Sequence, residues 1–554
     1  MIIERRLASQ AEEHGVKARG QAGFRKNYRT TDNIFVLRSL IDKQKQARQK
    51  GGSGKLYCCF VDFKKAFDTV PRALLWQVLE DLGVQGRVLD IIKSMYAHDS
   101  AAVRTSEGLS EIFRCLMGVK QGCPLSPTLF GLYVDGLEKH LLETADIDAP
   151  DLCGILAPLL LYADDLILMS TSPEGLQRQL DALASFCEQR QLTVNLSKTK
   201  VVIFEARKSD CKDFVFSGTT VERRDEYRYL GLVFHATKNM AYGVEYLVAA
   251  AKKAVHAMRR RCISLHLSDP ATICKLFDIL VLPILSYSCE VWAVNPKVGA
   301  KAELVHRQFL KQLLGVRKST TNQIVLAEFG RFPLQIHFWQ QILRYHNRVR
   351  ALPNSRLDKL ALIDGFWDSN PPHRVEALSG NWRSDVRRFT DTHGQQIVYD
   401  ELDISIIVER EKARWVEDFL FDTDHSSLQL YRTVYKADHS DYQYSDYLST
   451  VRCYPHRRLI SRFRCGCHGL HVDTGRFGKH SEHCSREDRV CLVCMSGSVE
   501  DEHRFLFDCP AYSHIRQQYS HLPPGCPFSS SFSVDQPNRV DSYLETCLAQ
   551  TQSV

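Results

Sequence analysis

The segment Leu159–Ser170, LLLYADDLILMS, sets two adjacent carboxylates, Asp164 and Asp165, inside an otherwise apolar run. The short apolar stretches on either side have the length and composition of strands, so the two acids fall at the tight bend of a β-hairpin. There they repel each other and resist desolvation, and burying even one unpaired carboxylate is costly. A divalent cation or shared protons would compensate them. A third acid, Asp62, ends a second apolar strand in CFVDFKKAFD, where packing gives no reason for a charge. Three acids so placed either converge on a metal or divide into one ligand or cap and two solvated groups. Hard oxygen donors joined to phosphate chemistry favour Mg²⁺ over zinc. Two such ions, about 3.5–4 Å apart, would activate a hydroxyl and stabilise a leaving pyrophosphate in nucleotidyl transfer.

The flanking sequence supplies the elements. Thr30, Thr31 and Asp32 offer N-caps to a helix with Ile34, Leu37 and Ile41 on one face, ending at the glycine-rich loop Gly51–Gly54. KLYCCFVDF reads as a buried strand, and PRALLWQVLEDLG as a helix with Pro71 near its first turn and Gly83 after its last. Ser126 is the expected N-cap, and Pro127 the first residue, of a largely apolar helix. SPEGLQRQLDALASFC aligns Leu176, Leu180, Leu183 and Cys187 on one helical face. Strands and helices succeed each other without βαβ regularity, so the fold class is α+β. From about residue 240 helices dominate. One of them carries the basic run Ala249–Cys262, AAAKKAVHAMRRRC, either a solvated face or a phosphate-facing one. Residues 350–450 show no motif or repeat.

At 554 residues the chain has room for roughly three or four domains. Its net charge of +7 permits a polyanionic partner without requiring one. No apolar run approaches the ~18–20 residues of a membrane span, and LFDILVLPILSY is short and interrupted by Asp278 and Pro283. The N-terminus, MIIERRLASQAEEHG, lacks a signal peptide's apolar core. The expectation is an intracellular, reducing compartment with no membrane association. The 19 cysteines then read as buried thiols except where their spacing suits a metal. Cys491, Cys494, His503 and Cys509 form C-x2-C-x8-H-x5-C, which suits a closed tetrahedral zinc site; the alternative is reduced structural cysteines beside a surface histidine. The denser group Cys465, Cys467, His468, His471, His480, His483 and Cys484 has no such pattern, and no second metal is assigned to it.

CFVDFKKAFDTVPR, GVKQGCPLSPTLFGLYVD, LLLYADDLILMS, LTVNLSKTKVVIF and YRYLGLVF occur in the order of the successive motifs of reverse transcriptases. The chain most resembles those of non-LTR (long interspersed element type) retrotransposons. AGFRKNYRTTDNIF upstream resembles the family's fingers motif, and LPILSYSCEVW and LKQLLGVRKSTTNQIVLAEFGRFPL resemble the segments downstream of its polymerase core. The resemblance implies a right-hand polymerase with fingers and palm over residues 1–240 and a helical thumb or connection over 241–345. An uncharacterised linker region over 346–450, a basic zinc-knuckle region over 451–520 and a disordered tail over 521–554 complete the expected organisation.

Carried over by residue, the resemblance makes Asp62, Asp164 and Asp165 the acids that bind two Mg²⁺ ions. Phe67 matches an aromatic gate against the ribose 2′-hydroxyl, or is a core phenylalanine. Gln121 and Gly122 match the loop along template and incoming nucleotide, where glycine permits close approach. Arg25 matches a fingers arginine for the triphosphate, with Arg29 a second candidate. Lys198 matches a lysine that protonates the leaving pyrophosphate, or is a surface lysine in a turn. Tyr229, Leu230 and Gly231 match the primer grip. Asp68 is read as structural. The basic helix would track a duplex backbone without reading sequence, and a Cys-Cys-His-Cys knuckle holding structural zinc commonly comes after such polymerases. The implied activity is RNA-directed DNA polymerisation with an RNA template, a DNA primer and dNTPs, and the resemblance also implies nuclear placement. The alternative is a catalytically inactive remnant that only binds RNA or DNA. Such elements also carry an endonuclease, and the expectation is a truncated copy that lacks it and begins inside the fingers. Nothing in the sequence indicates an oligomeric state.

Overall fold

The computed structural model describes residues 2–518 except 14, 16, 50–53, 145, 206–211, 368–381, 395–400, 422–430, 432–441 and 476–484. The expected disordered tail, most of the Gly51–Gly54 loop, and His480, His483 and Cys484 lie outside the described residues. The chain forms two compact units that do not respect sequence order. One comprises Met1–Val244, Glu290–Val294 and Ile342–Leu402; the other Glu245–Cys289, Asn295–Gln341 and Asp403–Val554.

The first unit is built on strands β1 (Leu56–Val61), β2 (Leu159–Tyr162), β3 (Asp165–Ser170) and β4 (Lys200–Phe204), in the order β4-β1-β3-β2 and antiparallel throughout. β1 is buried at every residue because both faces of the sheet are covered. Tyr57, Cys59, Val61, Leu166, Leu168, Val201 and Ile203 share a core with helices α3 (Arg72–Asp81), α5 (Ser126–Val134) and α7 (Pro173–Gln189). The register places Cys58, Phe60, Ile167 and Met169 on the opposite face. There Phe60 stacks on Tyr227 at 4.2 Å and tilts against Tyr229 at 5.8 Å. Both tyrosines belong to the hairpin of β5 (Glu226–Tyr229) and β6 (Leu232–His235). Residues 20–22 extend the sheet beside β2: the amide of Ala22 donates to Leu161 O and that of Leu161 to Gly20 O, both at 2.8 Å.

Local signals set the helix ends. α1 spans Ile2–Glu13, and α2 Thr30–Gln49 opens where Asp32 accepts from the amide of Arg29. α3 starts after Pro71 and stops before Gly83, whose φ is +80°. α7 is capped by Ser172, which accepts from the amide of Gly175, and it buries Leu176, Leu180, Leu183 and Cys187 as the periodicity predicts. α5 departs from expectation by one residue: Leu125 holds the N-cap position, and the Ser126 hydroxyl, inside the helix, donates to Lys120 O instead of capping. α4 (Arg87–Ala97), α6 (Gly136–Thr144) and α8 (Met240–Ser264, which contains the basic run) complete the labelled helices.

The region 346–450, expected as one linker, is divided at Leu402 between the units. Its early part completes the first. Arg348 and Arg356 both reach the buried carboxylate of Asp32, Arg356 also pairs with Asp358 at 2.7 Å, and its guanidinium lies 3.5 Å over the Tyr28 ring. Phe35 of α2 packs edge-on against Tyr345 and Trp382. The expected break after residue 240 falls close to the boundary at Val244.

The second unit is mostly helical. Asp269 caps Pro270–Leu280 by accepting from the amide of Thr272, and Asn295 caps Pro296–Leu314. The latter helix ends at Gly315, with φ +72°, and the Nε groups of Arg458 and Arg462 donate to Gly315 O, two cations at the negative helix end. Glu328, with no exposure, is matched by Arg464, Ser445, Tyr431 and Tyr447. Among the described residues no single helix is long and apolar enough to cross a membrane.

Candidate active site

β2 and β3 pair Tyr162 with Asp165, so their hairpin closes through Ala163 and Asp164. Ala163 has φ +61°, a conformation that costs an alanine free energy. The segment 20–23 lies against this turn: a Cβ on Gly23 would fall on the backbone nitrogen of Ala163. Asp62 comes directly after β1, and the pairing of Val61 with Leu166 sets it opposite Asp165, on the face that carries Phe60. The three acids thus share one end of adjacent strands. Burial, then the charges of Asp164 and Asp62, push the Asp165 carboxyl up to about 6. Oxygen donors gathered in this way match a hard divalent cation, which would favour the charged form of Asp165.

The loop that leads into β4 brackets Asp62. Phe63 bridges Val194, the amide of Lys64 donates to Thr193 O at 2.8 Å, and that of Asn195 to Asp62 O at 2.7 Å. The amide of Asp62 donates to Thr199 Oγ1 at 3.2 Å. Asn195 Nδ2 donates to Asp62 Oδ2 at 3.0 Å, and Lys198 Nζ stands 3.6 Å from Asp62 Oδ1. The structure therefore brings Lys198 to the acids. Asn195 escaped the sequence reading, because an asparagine in a turn is ordinarily read as turn chemistry.

Phe67 is half-buried, stacked on Phe130 at 4.4 Å and edge-on to Phe24. Gln121 Nε2 donates to Asp68 Oδ1 at 2.9 Å, so Asp68 holds the glutamine-glycine loop, consistent with a structural role. Gly122 has φ +84° with open space where a Cβ would stand. Leu230 and Gly231, at φ +44° and +89°, form the two-residue turn of the β5–β6 hairpin. Tyr229 lies in the interior, its hydroxyl accepting from Asn33 Nδ2 at 3.2 Å.

Arg25 is placed differently from the expectation of a guanidinium open to a triphosphate. It forms a bidentate pair with Glu12 at 2.9 and 2.7 Å, donates to the carbonyls of Ala18 and Gln21, and covers Tyr28 at 4.4 Å. An internal carboxylate fills the role that a phosphate would take. Arg29 is exposed.

In the second unit the thiols of Cys491, Cys494 and Cys509 lie within 4.8 Å of one another, the one such group of metal-ligand atoms among the described residues. Cys491 and Cys509 are 3.9 Å apart. Burial pushes the Cys491 thiol up to about 12. Burial also acts on Cys494, but hydrogen bonds from Ser496 and Arg504 outweigh it and bring that thiol down to about 6. His503, expected as the fourth ligand, does not join them. Its Nδ1 is 3.1 Å from Asp508 Oδ2 and its side chain is 66% exposed, so the surface-histidine alternative describes its position.

An antiparallel sheet that presents three carboxylates at one end, with helices against one face and a hairpin on the other, defines a right-hand polymerase palm. Residues 2–234 match the family "Reverse transcriptase (RNA-dependent DNA polymerase)". The "Retrovirus-related Pol polyprotein from type-1 retrotransposable element R2" of Popillia japonica is 25% identical over 72% of this chain and 56% of its own length. The "RNA-directed DNA polymerase from mobile element jockey" of Drosophila funebris is 21% identical over 72% of this chain and 42% of its own length. The corresponding Pol polyprotein of the type-2 element R2DM of Drosophila melanogaster is 30% identical over 33% of this chain and 18% of its own. The chain spans about half the length of the first two relatives. It carries a reverse transcriptase domain of the non-LTR retrotransposon type. Among solved structures, apo telomerase from Candida tropicalis aligns with a TM-score of 0.31 and 16% identity over 42% of this chain and 43% of that one, too low a likeness to bear on function.

Proposed function

We propose that this protein is an RNA-directed DNA polymerase that extends a DNA primer on an RNA template with dNTPs. The observation that carries this reading is the set of three acids at one end of adjacent strands, with Asp62 opposite Asp165, Asp165 pushed up to about 6 and Lys198 beside Asp62. Asp62, Asp164 and Asp165 would hold two Mg²⁺ ions, which supply activation of the primer 3′-hydroxyl and charge stabilisation of the departing pyrophosphate. Lys198, mostly exposed and 3.6 Å from Asp62, gives a proton to that pyrophosphate in this reading. The Phe67 ring, fixed by Phe130, takes the space of a ribose 2′-hydroxyl and so favours dNTPs. Gln121 and Gly122 run along template and incoming nucleotide, and Tyr229, Leu230 and Gly231 support the primer end. Arg25 reaches a triphosphate only by exchanging Glu12 for it.

The thiols of Cys491, Cys494 and Cys509 are the residues that would hold zinc in a knuckle-like segment, with the fourth position open to water. The basic run Ala249–Cys262 supplies salt-sensitive contact to the template–primer duplex. Resemblance to retrotransposon polymerases is what supports a nuclear location. The test is primer extension on an RNA template with Mg²⁺, comparing the wild type with Asp164→Asn/Asp165→Asn. The wild type extends and the double variant does not, while both bind RNA equally. RNA binding without extension by the folded wild type would instead support the non-catalytic remnant.

A further inference from the structure

Asp62 is held at several points. Its amide donates to Thr199 Oγ1, its carbonyl accepts from the amide of Asn195, and its Oδ2 accepts from Asn195 Nδ2. The orientation of Asn195 is itself fixed, because the Ser197 hydroxyl donates to Asn195 Oδ1 at 2.7 Å, leaving Nδ2 to face the carboxylate. A carboxylate can only accept and the amide NH₂ can only donate, so the arrangement allows one assignment. The backbones of Lys198 and Thr199 close the loop by donating to Asn195 O at 3.1 and 2.9 Å. One asparagine thus ties the backbone and side chain of Asp62 to the loop that carries Lys198.

We infer that Asn195 is a positioning residue of the nucleotidyl-transfer site, fixing the Asp62 carboxylate in one rotamer with Oδ2 occupied and Oδ1 presented to Lys198 and to a divalent cation. This rests on the polymerase reading and deepens it. Groups that orient a ligating carboxylate tune metal affinity, and their loss commonly weakens it about 10- to 100-fold. Asn195 acts through Asp62 and need not touch the substrate.

The test uses the full chain and two readouts. Direct Mn²⁺ binding, monitored by electron paramagnetic resonance, reports the site without turnover. Primer extension as a function of Mg²⁺ and of dNTP reports it in action. Asn195→Ala should weaken Mn²⁺ binding about tenfold and raise the Mg²⁺ concentration for half-maximal extension by a similar factor, with the dNTP KM at saturating Mg²⁺ unchanged. Ser197→Ala lies at an exposed position, keeps every backbone bond and frees only the amide, so it should shift both metal readouts in the same direction by a smaller factor. Unchanged metal dependence in a folded Asn195→Ala chain would overturn the inference. If that variant unfolds, Ser197→Ala decides the matter in the same way. A wild type that binds Mn²⁺ through Asp62 but does not extend primers would defeat the polymerase reading and leave the role of Asn195 to be judged on binding alone.

Discussion

Asp135, between α5 and α6, offers a test of the electrostatics under the fingers segment. It is 5% exposed; one oxygen accepts from the amide of Ala18 at 3.3 Å, and the other has no hydrogen-bond partner among the described residues. Burial pushes its carboxyl up to about 7, although the Ala18 amide, Arg25 and Lys17 pull the other way. The folded state therefore holds the proton more tightly than the unfolded chain. Stability from this group is fully present below the unfolded value of 3.8 and is lost as pH rises towards 7. A displacement of that size is worth at most about 4 kcal/mol, and relaxation and water penetration bring the expected cost to about 2 kcal/mol. Asp135→Asn keeps an acceptor for Ala18 and removes the ionisation. Urea unfolding midpoints from pH 4 to pH 8 should show the variant equal to the wild type at the acid end, with a growing advantage that levels off above pH 7. Other raised acids, such as Asp165 and Glu138, are common to both proteins and cancel in the difference. A variant no more stable at pH 8, or one with an advantage independent of pH, would refute the reasoning.

Gly23→Ala should abolish extension and destabilise the first unit by about 1–3 kcal/mol, because backbone meets backbone at the Ala163 turn and neither can yield; activity and urea midpoint together check this. Phe67→Ala should raise incorporation of ribonucleotides relative to deoxyribonucleotides, read as a ratio of kcat/KM values, with the fold kept by Phe24 and Phe130. For the cysteine cluster, Cys509→Ser should lower bound zinc, measured by a chromogenic chelator after denaturation, whereas His503→Ala should leave it unchanged; equal loss in both would return His503 to the ligand set.

The legible parts of this molecule are those where chemistry is local. A charge pair inside an apolar run marked the hairpin bend, and the structure puts Asp164 in the turn and Asp165 at the first position of β3. Pro71 at the start of α3 and the glycine after its end were read from single residues because helix ends need no distant partner. Long-range pairing leaves no such trace. Nothing in the periodicity around Arg348 and Arg356 says that both guanidiniums reach Asp32, more than three hundred residues earlier, so the region read as a linker is split between two units. Glu12 likewise captures Arg25 across thirteen positions, a pairing that motif resemblance does not foresee. The loop residue Lys198 was found through its motif, but Asn195, whose amide reaches the carboxylate itself, was hidden because its importance lies in which atom of Asp62 it meets.

The return of Ile342–Leu402 to the first unit has a consequence for how the chain comes into being. A ribosome adds about 5–20 residues per second, so the sheet and its acids emerge many seconds before the segment that neutralises Asp32 and covers Phe35. During that interval α2 presents a carboxylate without its guanidiniums and an aromatic face without its cover. The stretch delimited by similarity, residues 2–234, is thus not the whole of the first unit. Expression cut at that boundary leaves Asp32 without its two guanidiniums and Phe35 without its aromatic cover, whereas a chain extended past Leu402 supplies both.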